Sequence, residues 1–143
     1  MSSESNDGEH SANVWQKSLS LVPIAIKLAV GGSGEIKIVN RSQTPICFKI
    51  VVPDVYFRHE LSFNPNMKGI VHPDRDISLT VALRAKSPTL YKKEASQRLK
   101  KHTPIFINCY NMEPSDYGKR IDSLLDEKEK LPPYTLELNV TFV

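Results

Sequence analysis

Side chains able to do chemistry are scattered along this chain of 143 residues. Among the four histidines, His10, His59, His72 and His102, no two stand four apart, the spacing by which one helix face holds zinc. The two cysteines, Cys47 and Cys109, lack a Cys-x-x-Cys partner, which also speaks against zinc. Cys109 and His102 are of the right types for a nucleophile and its base, but nothing in the sequence orients them. His59-Glu60 and Asp74-Arg75-Asp76 read as solvated turn clusters, and Asp126-Glu127 as the outside of a helix. Gly31-Gly32-Ser33-Gly34 is followed by neither a helix nor a Lys-Ser/Thr pair, so it is not a phosphate loop. The expectation is no enzyme, no metal and no cofactor. What remains is charge. Lys49 interrupts an apolar run, and residues 84–104 hold seven Lys or Arg against one acid, Glu94. Such cations make charge-assisted bonds to an acidic partner.

The elements that would position these lysines are short strands. Residues 18–21 alternate and read as an edge strand, limited by Pro23. Residues 24–30 read as a second strand, with Ile24, Ile26, Leu28 and Val30 on one face, and the glycines after it as a turn or bulge. Residues 35–39 turn Ile36 and Ile38 inward. Asn40 to Pro45 is a tight connection, because Asn and Ser bond their own backbone. In residues 46–52, Ile46, Phe48 and Ile50 share one face, and Cys47, Lys49 and Val51 the other. Residues 55–57 and 61–63 read as short β pieces, 64–69 and 72–76 as turns, and 77–83 as the cleanest half-buried strand. Residues 92–100 fit a short helix. Residues 105–110 resume as a strand, and 113–130 as an acidic helix capped by Ser115 or Asp116, with Ile121, Leu124 and Leu125 as its apolar stripe. Residues 134–143 close the chain, with Leu136, Leu138, Val140 and Phe142 on one face. The acidic helix has the charge to lie against the basic 84–104 segment and mask it.

This rhythm predicts an all-β fold: an immunoglobulin-like antiparallel β-sandwich of about seven strands with one short helical insertion. Length suits one domain. Residues 1–16 are polar and form a tail with Trp15 set to tuck against the domain edge, and residues 17–143 form the sandwich. The net charge of +3 is too small to argue for nucleic acid. The opening residues lack the basic and apolar regions of a secretory signal, which points to a reducing, cytoplasmic setting and to Cys47 and Cys109 as buried thiols rather than an inter-sheet disulfide. No run approaches the roughly 18 apolar residues that span a bilayer, so direct membrane insertion is not expected.

Four stretches carry a resemblance that covers residues 18–143. They are Leu19-Ser20-Leu21-Val22-Pro23; residues 39–50, with an Asn-x-Ser turn before Phe48-Lys49; residues 64–73, with a Pro-x-x-Gly-x-x-x-Pro spacing; and the alternating strand 77–83. Together they resemble the major sperm protein (MSP) domain, an immunoglobulin-like sandwich of nematode sperm cytoskeletal proteins and of the VAMP-associated proteins. In the latter branch, lysines on the Phe-Lys strand and on the strand after the long insertion grip acidic peptides with paired phenylalanines. The resemblance implies a partner site at Lys49, Val51, Lys100, Lys101, Thr103 and Ile105. Val51 and Thr103 stand where that branch has lysines, Ile105 where it has methionine, and Lys100 and Lys101 lie just upstream. The implied function is a peptide- or protein-binding module. The alternative is a self-associating, dimeric structural protein of a sperm-type cytoskeleton.

Overall fold

The computed structural model describes residues 15–84 and 102–143. The expected helix at 92–100, residues 1–14 of the expected tail, Lys100 and Lys101 lie outside them. Nine strands are found among the described residues: β1 (Leu19–Val22), β2 (Ala25–Leu28), β3 (Ser33–Asn40), β4 (Ile46–Val51), β5 (Leu61–Asn64), β6 (Lys68–Val71), β7 (Arg75–Leu83), β8 (His102–Asn111) and β9 (Tyr134–Phe142). They form two sheets, β1-β3-β7-β5 and β2-β9-β8-β4-β6. The pairings are antiparallel except that of β2 with β9, which is parallel with Leu28 beside Phe142. Pro23 and Pro65 lie where the chain leaves the four-stranded sheet for the five-stranded one. A proline has no N–H to donate to a ladder, which suits Pro23 and Pro65 to the places where one pairing stops and the chain crosses to the other sheet.

Alternation decides the core. Ile36, Ile38, Leu79, Val81 and Leu83 from one sheet meet Phe48, Ile50, Ile105, Ile107, Leu138 and Val140 from the other, all at most 2% exposed. Gly69 lies under the Phe48 ring, and a Cβ there would stand 3.2 Å from two ring carbons, so the close approach of strand and ring uses the missing side chain. Trp15 packs edge-on against Tyr134, with ring centroids 5.7 Å apart.

Four local expectations need correction. Residues 55–57 are not a β piece but part of a helical turn, α1 (Val55–Arg58), closed by Arg58 N–H donating to the Asp54 carbonyl at 3.0 Å. The turn drops Phe57 into the end of the sandwich, stacked on Phe142 at 4.2 Å. The acidic helix is shorter than 113–130: α2 spans Ile121–Lys128, preceded by a 3-10 turn at Pro114–Asp116. Gly118, with φ of 84°, separates the two, a conformation glycine adopts without strain. Asp116 therefore caps no long helix. Its carboxylate accepts the Glu113 N–H at 2.9 Å. Ile24 and Val30 are 64% and 43% exposed and do not join the core face: β2 spans only Ala25–Leu28, although the Ile24 carbonyl still accepts the Asn139 N–H at 2.9 Å. Ser33 and Gly34 belong to β3 rather than to the turn.

The connection between β3 and β4 forms as its residue types predict. Asn40 is fully buried, and its amide donates to the Thr44 carbonyl at 2.9 Å and the Val71 carbonyl at 3.0 Å. Its Oδ1 accepts the Ser42 N–H at 3.0 Å and the Ser42 hydroxyl at 2.6 Å. One side chain thus closes the turn and ties it to the end of β6.

Candidate functional site

The five-stranded sheet presents an outer face built by the same alternation. From β4 come Cys47, Lys49 and Val51; from β6, Lys68 and Ile70; from β8, Pro104, Phe106, Asn108 and Tyr110. Lys49 stands directly opposite Lys68 on one side and Asn108 on the other, and Val51 stands opposite Phe106. Like charges facing each other across a ladder repel. Here each lysine is supplied with an acid from α2 or its C-terminal end. Lys49 Nζ lies 2.7 Å from Glu129 Oε1, and Lys68 pairs with Asp122. The pair with Lys68 holds the Asp122 carboxyl below its ordinary range.

The helix is anchored by packing as well as by charge. Leu124 (0% exposed) and Leu125 (3%) form a second apolar cluster with Cys47, Tyr110 and Met112, with Ile70 and Ile121 at its margin. Burying a leucine contributes about 1.5–3 kcal/mol, whereas a half-exposed ion pair such as Lys49–Glu129 contributes roughly 0–1 kcal/mol. The leucines therefore fix where the helix lies, and the ion pairs fix what the lysines meet. Behind it, Asp116 receives Lys128 Nζ at 2.8 Å and Lys119 at 3.5 Å. The bond from Lys128 is the foremost cause holding the Asp116 carboxyl below its usual value.

The implied site residues are thus divided. Lys49 and Val51 lie together on the outer face. Thr103 (4% exposed) and Ile105 (0%) point the other way, into the core, because β8 pairs with β4 in the register that sets Ile107 beside Ile50 inside and Phe106 beside Val51 outside. Burial removes Thr103 and Ile105 from the surface that a partner could touch. Pro104 and Phe106 occupy the outward positions, both partly exposed. Asp122 of α2 meets Lys68 and Glu129, just past its end, meets Lys49; the expected masking of the 84–104 segment falls mostly on residues outside the described ones.

Cys47 and Cys109 are buried free thiols. They sit on neighbouring strands but on opposite faces, Cys47 under α2 and Cys109 in the main core, so no inter-sheet disulfide joins them. Burial pushes the Cys47 thiol up to about 11 and the Cys109 thiol up to about 12. A thiol so placed is a packing group, not a nucleophile. Among the described residues, no cluster of three His, Cys, Asp or Glu could hold a metal, and no helix is long and apolar enough to cross a membrane.

Comparison with solved structures matches this architecture to two nematode proteins. WR4, a Caenorhabditis elegans MSP family member, superposes with a TM-score of 0.65 at 11% identity over 88% of this chain and 98% of its own. The fold is that of the MSP domain. SSP-19, an MSP-domain protein like family member of the same organism, gives 0.61 at 17% identity over 86% and 99%. The Pseudomonas aeruginosa CupB2 chaperone gives 0.52 at 14% identity, covering 87% of this chain and 55% of that one. No family model and no curated protein sequence matches. At these identities the likeness is one of MSP-type fold.

Proposed function

We propose that this chain is a non-enzymatic interaction module of the MSP type that binds a peptide or protein partner through the outer face of its five-stranded sheet. The observation that carries the proposal is the set of Lys49, Val51 and Phe106, which share the outer face of two adjoining strands beyond the apolar cluster under α2. Rigid strands hold a cation beside apolar side chains, which suits an acidic segment with an aromatic residue. The acid that already meets Lys49 is Glu129, at the exposed end of the helix region, so an acidic partner competes for that lysine with a weak pair only. The test is retention of an acidic, phenylalanine-containing peptide by the immobilised protein at low salt. Lys49→Glu should abolish retention, and Glu129→Gln should strengthen it. Retention unaffected by both changes refutes the site.

A second reading is self-association in a cytoskeletal setting. It is favoured by Val22 and Ile24, 54% and 64% exposed beside the switch between sheets. Sedimentation over rising concentration decides it, and a constant monomer would dismiss it.

A further inference from the structure

A different surface, the free edge of β6, is complementary to a peptide backbone. Among the described residues, β6 is the last strand of its sheet. The Ile50 N–H donates to the Met67 carbonyl at 2.7 Å, which fixes the hydrogen-bonding parity of the β4–β6 ladder. In an antiparallel pair the bonded positions recur every second residue, so Met67, Gly69 and Val71 turn their backbone groups toward β4. Lys68 and Ile70 therefore turn their N–H and C=O groups outward, and no backbone group among the described residues meets them. A groove lies along each side of this edge. The outer one, of about 320 Å³, is apolar and lined by Pro45, Ile70, Pro73, Met112 and Tyr117. The other, of about 470 Å³, is mixed and lined by Val71, Ile77, Arg75 and Asp76. Ile70 and His72 border both.

We infer that β6 accepts an extended peptide as a sixth strand, with an apolar, ring-sized side chain opposite Ile70 and small polar side chains on either side of it. Strand addition takes affinity from backbone bonds and selectivity from pockets that receive alternate side chains. The alternation matches here. A residue opposite Ile70 points to the same face as Ile70, into the apolar groove, and its neighbours point toward Arg75 and Asp76. The backbone of Lys68 and Ile70 offers two donors and two acceptors. A second copy of β6 is the poorer occupant: a four-residue strand is too short to bury the roughly 1,000 Å² that a stable interface needs.

The probe is a neutral fluorescent heptapeptide, Ser and Thr throughout with Phe at its centre, compared with the same peptide carrying Ala there. The expected result is saturable anisotropy with the Phe peptide, at least tenfold weaker with the Ala peptide, and slowed hydrogen exchange at the Lys68 and Ile70 amides. Ile70→Pro removes an edge-facing N–H that the sheet itself does not use and should weaken binding about tenfold or more. Tyr117→Ala, at a side chain 53% exposed, keeps the test sharp if Ile70→Pro fails to fold. It should erase the preference for Phe over Ala. No binding at millimolar peptide, binding without protection of these two amides, or protection that grows with protein concentration alone would each overturn the inference, the last in favour of pairing between copies.

Discussion

Leu124 is the residue on which the placement of α2 most depends, and Cys47 reports whether the helix is down. Leu124 is fully buried between α2 and the sheet, in the cluster that also covers the Cys47 thiol. Leu124→Ala leaves a cavity, at a cost of about 2–5 kcal/mol. That cost falls on the helix and its underlying face, not on the main core. The free energy of lifting α2 should drop by about that amount while the core opening that bares Cys109 changes less. At about 1.4 kcal/mol per factor of ten, Cys47 should react with a thiol reagent about 30-fold to a few thousand-fold faster in the variant. Both thiols need opening, since each is buried and its ionisation is pushed up. Mass spectrometry of labelled protein under native conditions, followed over time, separates the two sites. Equal rates at Cys47 and Cys109, or a Cys47 rate unmoved by Leu124→Ala, would show that α2 is not a separable cover and would refute this reasoning.

Two further outcomes are expected. Asn40→Ala strands the Val71 and Thr44 carbonyls and frees the Ser42 loop, so it should destabilise the fold by about 1–3 kcal/mol, read by urea denaturation; loss of a few tenths would contradict the role given to this side chain. Asp116 has a folded pKa below its unfolded value of 3.8, so its contribution is full above 3.8 and is lost as pH falls through the lower folded value. Acid denaturation should therefore lose less stability in Asp116→Asn than in the unaltered protein over that window; equal acid sensitivity would place the effect elsewhere.

Much of the sandwich was legible because one face of each strand is buried and the period of two shows directly, as in residues 77–83 and 134–142. The Asn40 turn was legible because its residue types can bond locally. The parity of β8 was not. Both of its faces carry apolar residues, Ile105 and Ile107 inside and Phe106 and Tyr110 outside, since α2 covers part of the outer face. The resemblance to a family motif then chose Thr103 and Ile105, one position out of phase. The greater run of β-branched aliphatics through Ile105 and Ile107 was the available signal for the inner face. The helical turn at Val55–Arg58 was hidden by β-branched and aromatic residue types, which tertiary burial of Phe57 overrides. Nor could composition tell that Asp122 and Glu129 reach lysines 54 and 80 residues away in sequence. Such pairs follow from the docking of two leucines, which local pattern does not specify.

Partner binding at the outer wall is tested most directly by amide chemical-shift mapping of the isotope-labelled protein with an acidic, phenylalanine-containing peptide at low salt. The expected result is a saturable set of shifts centred on Lys49, Val51 and Phe106 that collapses when salt is raised. Shifts confined to the four-stranded sheet, or none at all, would contradict it.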